Sequence, residues 1–118
     1  MHITKKITTL IFALFTVGIA SYMLTTRNMA IKAQHVNEEQ AGGVLFANLC
    51  ATCHGPGGDG SGGAPNLSDG HVLQKYPTSQ ALSTFIQQRM PATAPGTLNP
   101  DETRDLVLYI QRLNRGPS

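Results

Sequence analysis

Both cysteines of this 118-residue chain lie in one pentapeptide, Cys50-Ala51-Thr52-Cys53-His54, and this spacing limits what the chain can build. Two cysteines three positions apart can form half of a zinc site, a redox dithiol, a local disulfide or an attachment point for haem. Structural zinc needs four protein ligands, and the chain has no second cysteine pair. A thioredoxin-like dithiol needs a βαβ context, and no segment alternates as a strand does.

The N-terminal segment limits the fold as well. Residues 7–26 form an uncharged run that follows Lys5 and Lys6. As a helix these 20 residues span about 30 Å, the thickness of a bilayer core. We favour an uncleaved signal anchor, because no clear small-x-small cleavage site follows; a cleaved signal peptide is the alternative. Both interpretations export the rest of the chain.

Charge is distributed unevenly along the chain. Four of the nine basic residues lie before residue 35 and all seven acidic residues follow it, so the net charge of +2 conceals a C-terminal part with a net charge of −2. No basic stripe with interleaved aromatic residues occurs, which argues against a nucleic acid partner. We divide the chain into a signal anchor or signal peptide (1–26), a polar linker (27–36) and a folded domain (37–118).

Three helices and no strand are predicted in the C-terminal domain. The first begins at Asn37 as its N-cap and continues to the cysteines. The second covers residues 79–90, where apolar residues recur at helical spacing. The third begins at Asn99 as its N-cap, has proline at its first helical position and continues to about residue 114. The glycine-rich region 55–76 is predicted as a loop.

Covalent haem attachment gives the cysteine motif a complete explanation. Cys50 and Cys53 lie one helical turn apart and can form thioethers with the two haem vinyl groups, while the adjacent His54 can bind the iron. The motif also follows an export segment and the end of a predicted helix. Haem attachment is therefore the function that the motif favours over zinc, a redox dithiol or a disulfide.

With this motif in place, the chain resembles the small bacterial class I c-type cytochromes over about residues 38–113. The matching features are the pair Gly42 and Phe46 before the cysteines, the loop GGAPNL at 62–67, the loop RMPA at 89–92 and the helix LVLYIQRL at 106–113. The resemblance implies an all-α class I cytochrome c fold. In it, three main helices surround one covalently attached haem c, and an N-terminal membrane helix precedes them.

The resemblance and the residues together give the predicted iron ligands. Cys50 and Cys53 carry the haem thioethers, and His54 is the proximal ligand. Met90 is predicted as the distal ligand, because it is the only methionine of the C-terminal domain and lies where the family carries that ligand. His71 is a weaker alternative.

Four further residues are predicted to line the haem pocket: Pro65, Leu67, Phe85 and Ile86. The resemblance implies that the carbonyl of Pro65 accepts a hydrogen bond from the Nδ1–H group of His54. Such a bond fixes the orientation of a ligating imidazole ring.

The predicted function is electron transfer, since histidine–methionine ligation raises the reduction potential and leaves no open coordination position. We expect an electron carrier that is not a catalyst on its own. Residues 7–26 would tether it to the bacterial cytoplasmic membrane, with the haem on the periplasmic or extracellular side. Its expected partner is a membrane-bound oxidase, dehydrogenase or reaction-centre-type complex. The alternatives are a soluble periplasmic carrier, an electron-relay subunit of a larger redox enzyme, and a haem-based gas sensor with a displaceable ligand.

Overall fold

The computed structural model describes residues 1–116, apart from the side chain of His2. It contains five helices, and none of the described residues forms a strand. The all-α class predicted from the sequence is therefore confirmed. The helices are α1 (His2–Leu49), α2 (Ala51–His54), α3 (His71–Lys75), α4 (Ser79–Arg89) and α5 (Pro100–Leu113).

The chain divides into a first unit, Met1–His35, and a second unit that begins at Val36. In the first unit the described side chains are exposed. All six threonines up to residue 26 donate their hydroxyl hydrogen to a carbonyl three or four residues earlier, as Thr8 does to Thr4 at 2.8 Å. This back-bonding satisfies hydroxyl groups that would be costly in lipid. Helix α1 is, by length and composition, able to cross a membrane.

Helix α1 extends further towards the N-terminus than predicted. Asn37 lies inside α1 and is not its N-cap, because residues 27–36 are also helical. This segment contains neither glycine nor proline, and its alanines, glutamine, lysine and arginine are good helix formers. The prediction of a helix start at Asn37 was wrong. The role of residues 27–36 as a linker stays a prediction.

In the second unit, the end of α1 packs closely against α5. The backbone carbonyl of Asp105 lies so near Gly42 that a Cβ atom there would overlap it. A Cβ atom at Gly43 would lie 3.0 Å from the ring of Tyr109, and that ring contacts Phe46 at a centroid distance of 5.2 Å. These five residues form what we call the α1–α5 contact. The two glycines let the backbone of α1 lie against the backbone of α5 at Asp105 and against the side chain of Tyr109.

Helices α4 and α5 supply most of the remaining core. The N-terminus of α5 has the predicted capping box: Asn99 Oδ1 accepts from the Glu102 amide at 2.9 Å, and Glu102 Oε2 accepts from the Asn99 amide at 2.9 Å. Helix α4 begins after Thr78, whose hydroxyl oxygen accepts from the amide of Ala81. The buried apolar residues of the unit are Phe46, Leu82, Ile86, Leu98, Leu106, Val107 and Ile110.

Helix α3 was not predicted, because residues 55–76 read as a loop. It has five residues and no buried side chain. Its N-cap, Gly70, has a φ angle of +86°, a left-handed conformation that glycine adopts readily. The Gly70 amide donates to the side chain of Asn114 at 2.7 Å, so a residue 44 positions away holds the start of this helix.

Candidate haem site

One cleft in the second unit brings the predicted site residues together. It has a volume of about 220 Å³, far more than the roughly 15 Å³ that a single water molecule needs. All eight residues predicted for the haem site line it: Cys50, Cys53, His54, Pro65, Leu67, Phe85, Ile86 and Met90.

The rest of the lining is almost entirely apolar. No aspartate, glutamate, lysine or arginine is among the residues that line the cleft, and Thr93 is the one hydroxyl side chain. Such a lining suits a large apolar group held by a few placed polar atoms. The lining also contains nine residues that were not predicted from the sequence as part of the pocket: Phe46, Leu49, Ala64, Val72, Pro91, Ala92, Thr93, Leu106 and Ile110.

His54 is the most tightly defined polar group of the cleft. It is the last residue of α2 and is only 9 % exposed. Its Nδ1 atom lies 2.8 Å from the carbonyl oxygen of Pro65. A carbonyl can only accept a hydrogen bond, so Nδ1 carries a proton, and in the neutral imidazole Nε2 then has the free lone pair. This tautomer is the one that a metal-ligating imidazole requires.

Cys50 is the N-cap of α2 and Cys53 lies within that helix. Both are free thiols, Cys50 half-buried and Cys53 exposed. Burial, together with the neighbouring Cys53, raises the pKa of the Cys50 thiol to about 11. Since the thiolate is the nucleophile in redox exchange, the raised pKa of Cys50 disfavours the redox-dithiol alternative. Among the described residues, no group of three or more His, Cys, Asp or Glu side chains could hold a metal ion.

Met90 and His71, the two candidates for the distal ligand, lie in different surroundings. Met90 is half-buried at the C-cap of α4, where its amide donates to the Ile86 carbonyl at 2.8 Å, and its side chain lines the cleft. The side chain of His71 is 79 % exposed, pairs with Asp69 at 3.1 Å and is not among the lining residues. The geometry favours Met90.

The loop after the cysteine motif is fastened to it by backbone hydrogen bonds. The Gly60 amide donates to the His54 carbonyl at 2.7 Å, and the Ala64 amide donates to the Cys53 carbonyl at 2.9 Å. A Cβ atom at Gly62 would overlap the backbone of Thr52 and Cys53. Glycine therefore lets the backbone of this loop pass directly over the backbone of α2.

The donor set fits a haem group attached through two thioethers. Two thiols, an imidazole with a free Nε2 atom and a methionine thioether line one apolar cleft. Together with the all-helical fold, the C-x-x-C-H motif defines a c-type cytochrome domain.

A comparison with protein families supports this class and narrows it. The model of the family described as cytochrome c oxidase, cbb3-type, subunit III, matches residues 37–110. The chain therefore belongs to this family of c-type cytochromes, and the match covers α2 to α4 in full and most of α5.

Individual relatives carry related names. The chain is 34% identical over 76 residues to the cbb3-type cytochrome c oxidase subunit CcoP of Rubrivivax gelatinosus, an alignment that covers 62% of this chain and 25% of that protein. It is 36% identical over 80 residues to subunit FixP of Azorhizobium caulinodans, covering 64% and 27%. It is 30% identical over 105 residues to FixP of Bradyrhizobium diazoefficiens, covering 85% and 35%.

The chain thus spans between a quarter and about a third of the length of these relatives. No solved structure matches the chain significantly.

Proposed function

We propose that the second unit binds one haem c and transfers single electrons through it. Cys50 and Cys53 would hold the macrocycle through thioethers, with His54 and Met90 as the axial ligands. The observation that carries this proposal is the cleft itself, where these four side chains meet among apolar residues. Two cysteines allow one such attachment motif, which is why the proposal has one haem.

The residues of the cleft perform distinct tasks in this proposal. His54 supplies Nε2, while its Nδ1–H group is occupied by the Pro65 carbonyl and keeps the ring in one orientation. The apolar lining excludes water and charge from the site. When bound, haem with histidine and methionine ligands supplies a one-electron couple of raised potential. With both axial positions filled by the protein, electron transfer is favoured over oxygen chemistry or gas sensing.

We further propose that the chain is an electron-relay subunit of a membrane-bound oxidase complex and not a catalyst on its own. Its family and its relatives are named as subunits of cbb3-type cytochrome c oxidase. Residues 7–26 would anchor the chain in the cytoplasmic membrane. Lys5 and Lys6 before this run favour a cytoplasmic N-terminus, which would leave the haem domain on the outer side.

The test is purification of the full-length chain from its native membrane in mild detergent. Mass analysis should find one covalently bound haem on residues 50–54, an intact N-terminus before residue 7 and stoichiometric oxidase subunits. A water-soluble haem protein whose N-terminus lies near residue 30 would replace the anchored subunit with a diffusing carrier. Absence of covalent haem from the native protein would overturn the proposal.

A further inference from the structure

We infer that Asn114, just after the end of α5, is a positioning residue for the haem iron. Its side chain holds the loop that presents the Pro65 carbonyl, and that carbonyl sets the orientation and basicity of His54. This inference rests on the proposed function, because it assumes that His54 binds the iron.

The side chain of Asn114 makes three hydrogen bonds. Its Oδ1 atom accepts from the Gly70 amide at 2.7 Å, and its Nδ2 atom donates to the carbonyls of Leu67 and Ile110, each at 2.7 Å. These partners determine the orientation of the amide, because only the oxygen can accept and only the nitrogen can donate. Both Nδ2 hydrogens are used. The bonds to Leu67 and Gly70 join α5 to residues 47 and 44 positions earlier.

Pro65 lies between two residues of the loop, Ala64 and Leu67, whose backbone groups are held by hydrogen bonds. On one side, the Ala64 amide donates to the carbonyl of Cys53 at 2.9 Å. On the other side, Leu67 is held through both backbone groups: its amide donates to Gly58 at 2.6 Å, and its carbonyl accepts from Asn114. The Pro65 carbonyl is therefore fixed between the haem-binding motif and α5.

Removal of the Asn114 side-chain amide would release the loop at Leu67 but not at Ala64. The Leu67 carbonyl and the Gly70 amide would lose their partner, and half-buried backbone groups do not stay unpaired without a cost. The turn between them would rearrange to reach water, and the His54–Pro65 hydrogen bond would weaken. That bond makes the imidazole a stronger donor to the metal. A weaker donor stabilises ferric iron less, so the reduction potential would rise.

The test compares Asn114→Ala with Gln111→Ala in the full-length haem-loaded protein. Gln111 is the matched control, since it lies on the same helix and donates a long-range side-chain hydrogen bond at 2.9 Å, but to Ser79 of α4. The measurements are the reduction potential and the exchange rate of the His54 Nδ1 proton in the reduced protein by NMR. Asn114→Ala should raise the potential and speed the exchange, and Gln111→Ala should change neither.

A second variant keeps the test decisive if Asn114→Ala does not retain haem. Asn114→Ser keeps a short polar group that can replace one of the three bonds, and it should shift both measurements in the same direction by a smaller amount. Equal effects of the Asn114 and Gln111 variants, or none from either, would overturn the inference and leave the proposed function intact. A wild-type protein without covalent haem would overturn both.

Discussion

The α1–α5 contact and the haem cleft lie in the same unit and are built in opposite ways. At the contact, there is no room for one methyl group at Gly42, because the Asp105 carbonyl already occupies the space. At the cleft, about 220 Å³ lies open among apolar side chains. The chain completes the first region with its own atoms. In the proposed function, the haem completes the second region.

The two regions also differ in charge. Glu38 and Asp101 pair with Arg104 beside the contact, at 3.5 and 3.2 Å. Farther along α5, Arg115 pairs with Glu39. No aspartate, glutamate, lysine or arginine lines the cleft. We therefore expect a change of pH to alter the free energy of unfolding through the α1–α5 contact. Loss of the haem should alter it through the cleft.

The largest expected effect is the loss of the cleft's occupant. The double variant Cys50→Ala/Cys53→Ala cannot form thioethers, and we expect its second unit not to fold stably. Without the haem, the apolar side chains that line the cleft face water. A domain of this size rarely has a protein-only core large enough to offset that loss. Far-UV circular dichroism of the purified variant should show a loss of helicity.

The control for this prediction is Thr52→Ala, which changes an exposed residue between the two cysteines and leaves both thiols in place. It should bind haem and keep wild-type helicity. Native helicity in the second unit of the double variant would contradict the prediction, since the protein would then not need the haem to fold.

The next effect is on the close-packed region. Gly42→Ala places a methyl group against the backbone of α5, and neither backbone can move alone. We expect a loss of up to about 2 kcal/mol, since overpacking costs about 1–3 kcal/mol and the gain in helix propensity offsets about 1 kcal/mol. Urea unfolding of the haem-loaded protein measures the change.

Gly43→Ala is the matched control for that variant. It lies on the same helix and gains the same propensity, but its methyl group would meet the ring of Tyr109 at 3.0 Å, and a side chain can shift. Its stability should stay within about 1 kcal/mol of the wild type. Equal losses in the two variants would mean that the backbone contact at Gly42 has no special importance.

The smallest expected effect concerns Asp105. Burial, and the nearby Glu38 and Asp101, raise the pKa of Asp105 above its ordinary 3.8, although Arg104 acts in the opposite direction. One carboxylate oxygen is buried and accepts no hydrogen bond. The folded state therefore holds the Asp105 proton more tightly than the unfolded state does. The contribution of Asp105 to the stability of the folded state is therefore greatest below about pH 4 and is lost as the pH rises through the raised pKa.

Asp105→Asn removes this titration. At about pH 7 the variant should be more stable than the wild type, by no more than about 1 kcal/mol, and the difference should shrink towards about pH 4. Asp101→Asn, which removes the same charge from an exposed position of α5, should not show this trend. Urea unfolding across the pH range measures both. A variant that is less stable than the wild type at neutral pH would refute the sign.

The sequence predicts those features of both regions that depend on neighbouring residues. The capping box of α5 is complete within Asn99 and Glu102, and the apolar spacing of α4 lies within one helix. The N-terminal extension of α1 and the short helix α3 were missed for two different reasons. A polar segment without breakers can be helical, so Asn37 was over-interpreted as a cap. Helix α3 is too short for a periodic pattern and is held by Asn114 from across the fold.

The residues of the candidate site were easier to predict from the sequence than Asn114, which positions the loop beside them. Cys50, Cys53, His54 and Met90 stand in recognisable motifs, and the structure brings them into one cleft. Asn114 stands in no motif, and its bonds to Leu67 and Gly70 exist only once α5 meets the loop. Contacts of this kind depend on tertiary packing, and no local sequence pattern predicts them.

The central claim, that the cleft holds a haem with Met90 on its iron, is tested most directly by near-infrared spectroscopy of the oxidised full-length protein. Methionine ligation gives a weak sulfur-to-iron charge-transfer band. The wild type and Met29→Ala, which alters an exposed methionine of the first unit, should both show it. Met90→Ala should lack the band and bind added imidazole at the iron. A band that persists in Met90→Ala would contradict the account.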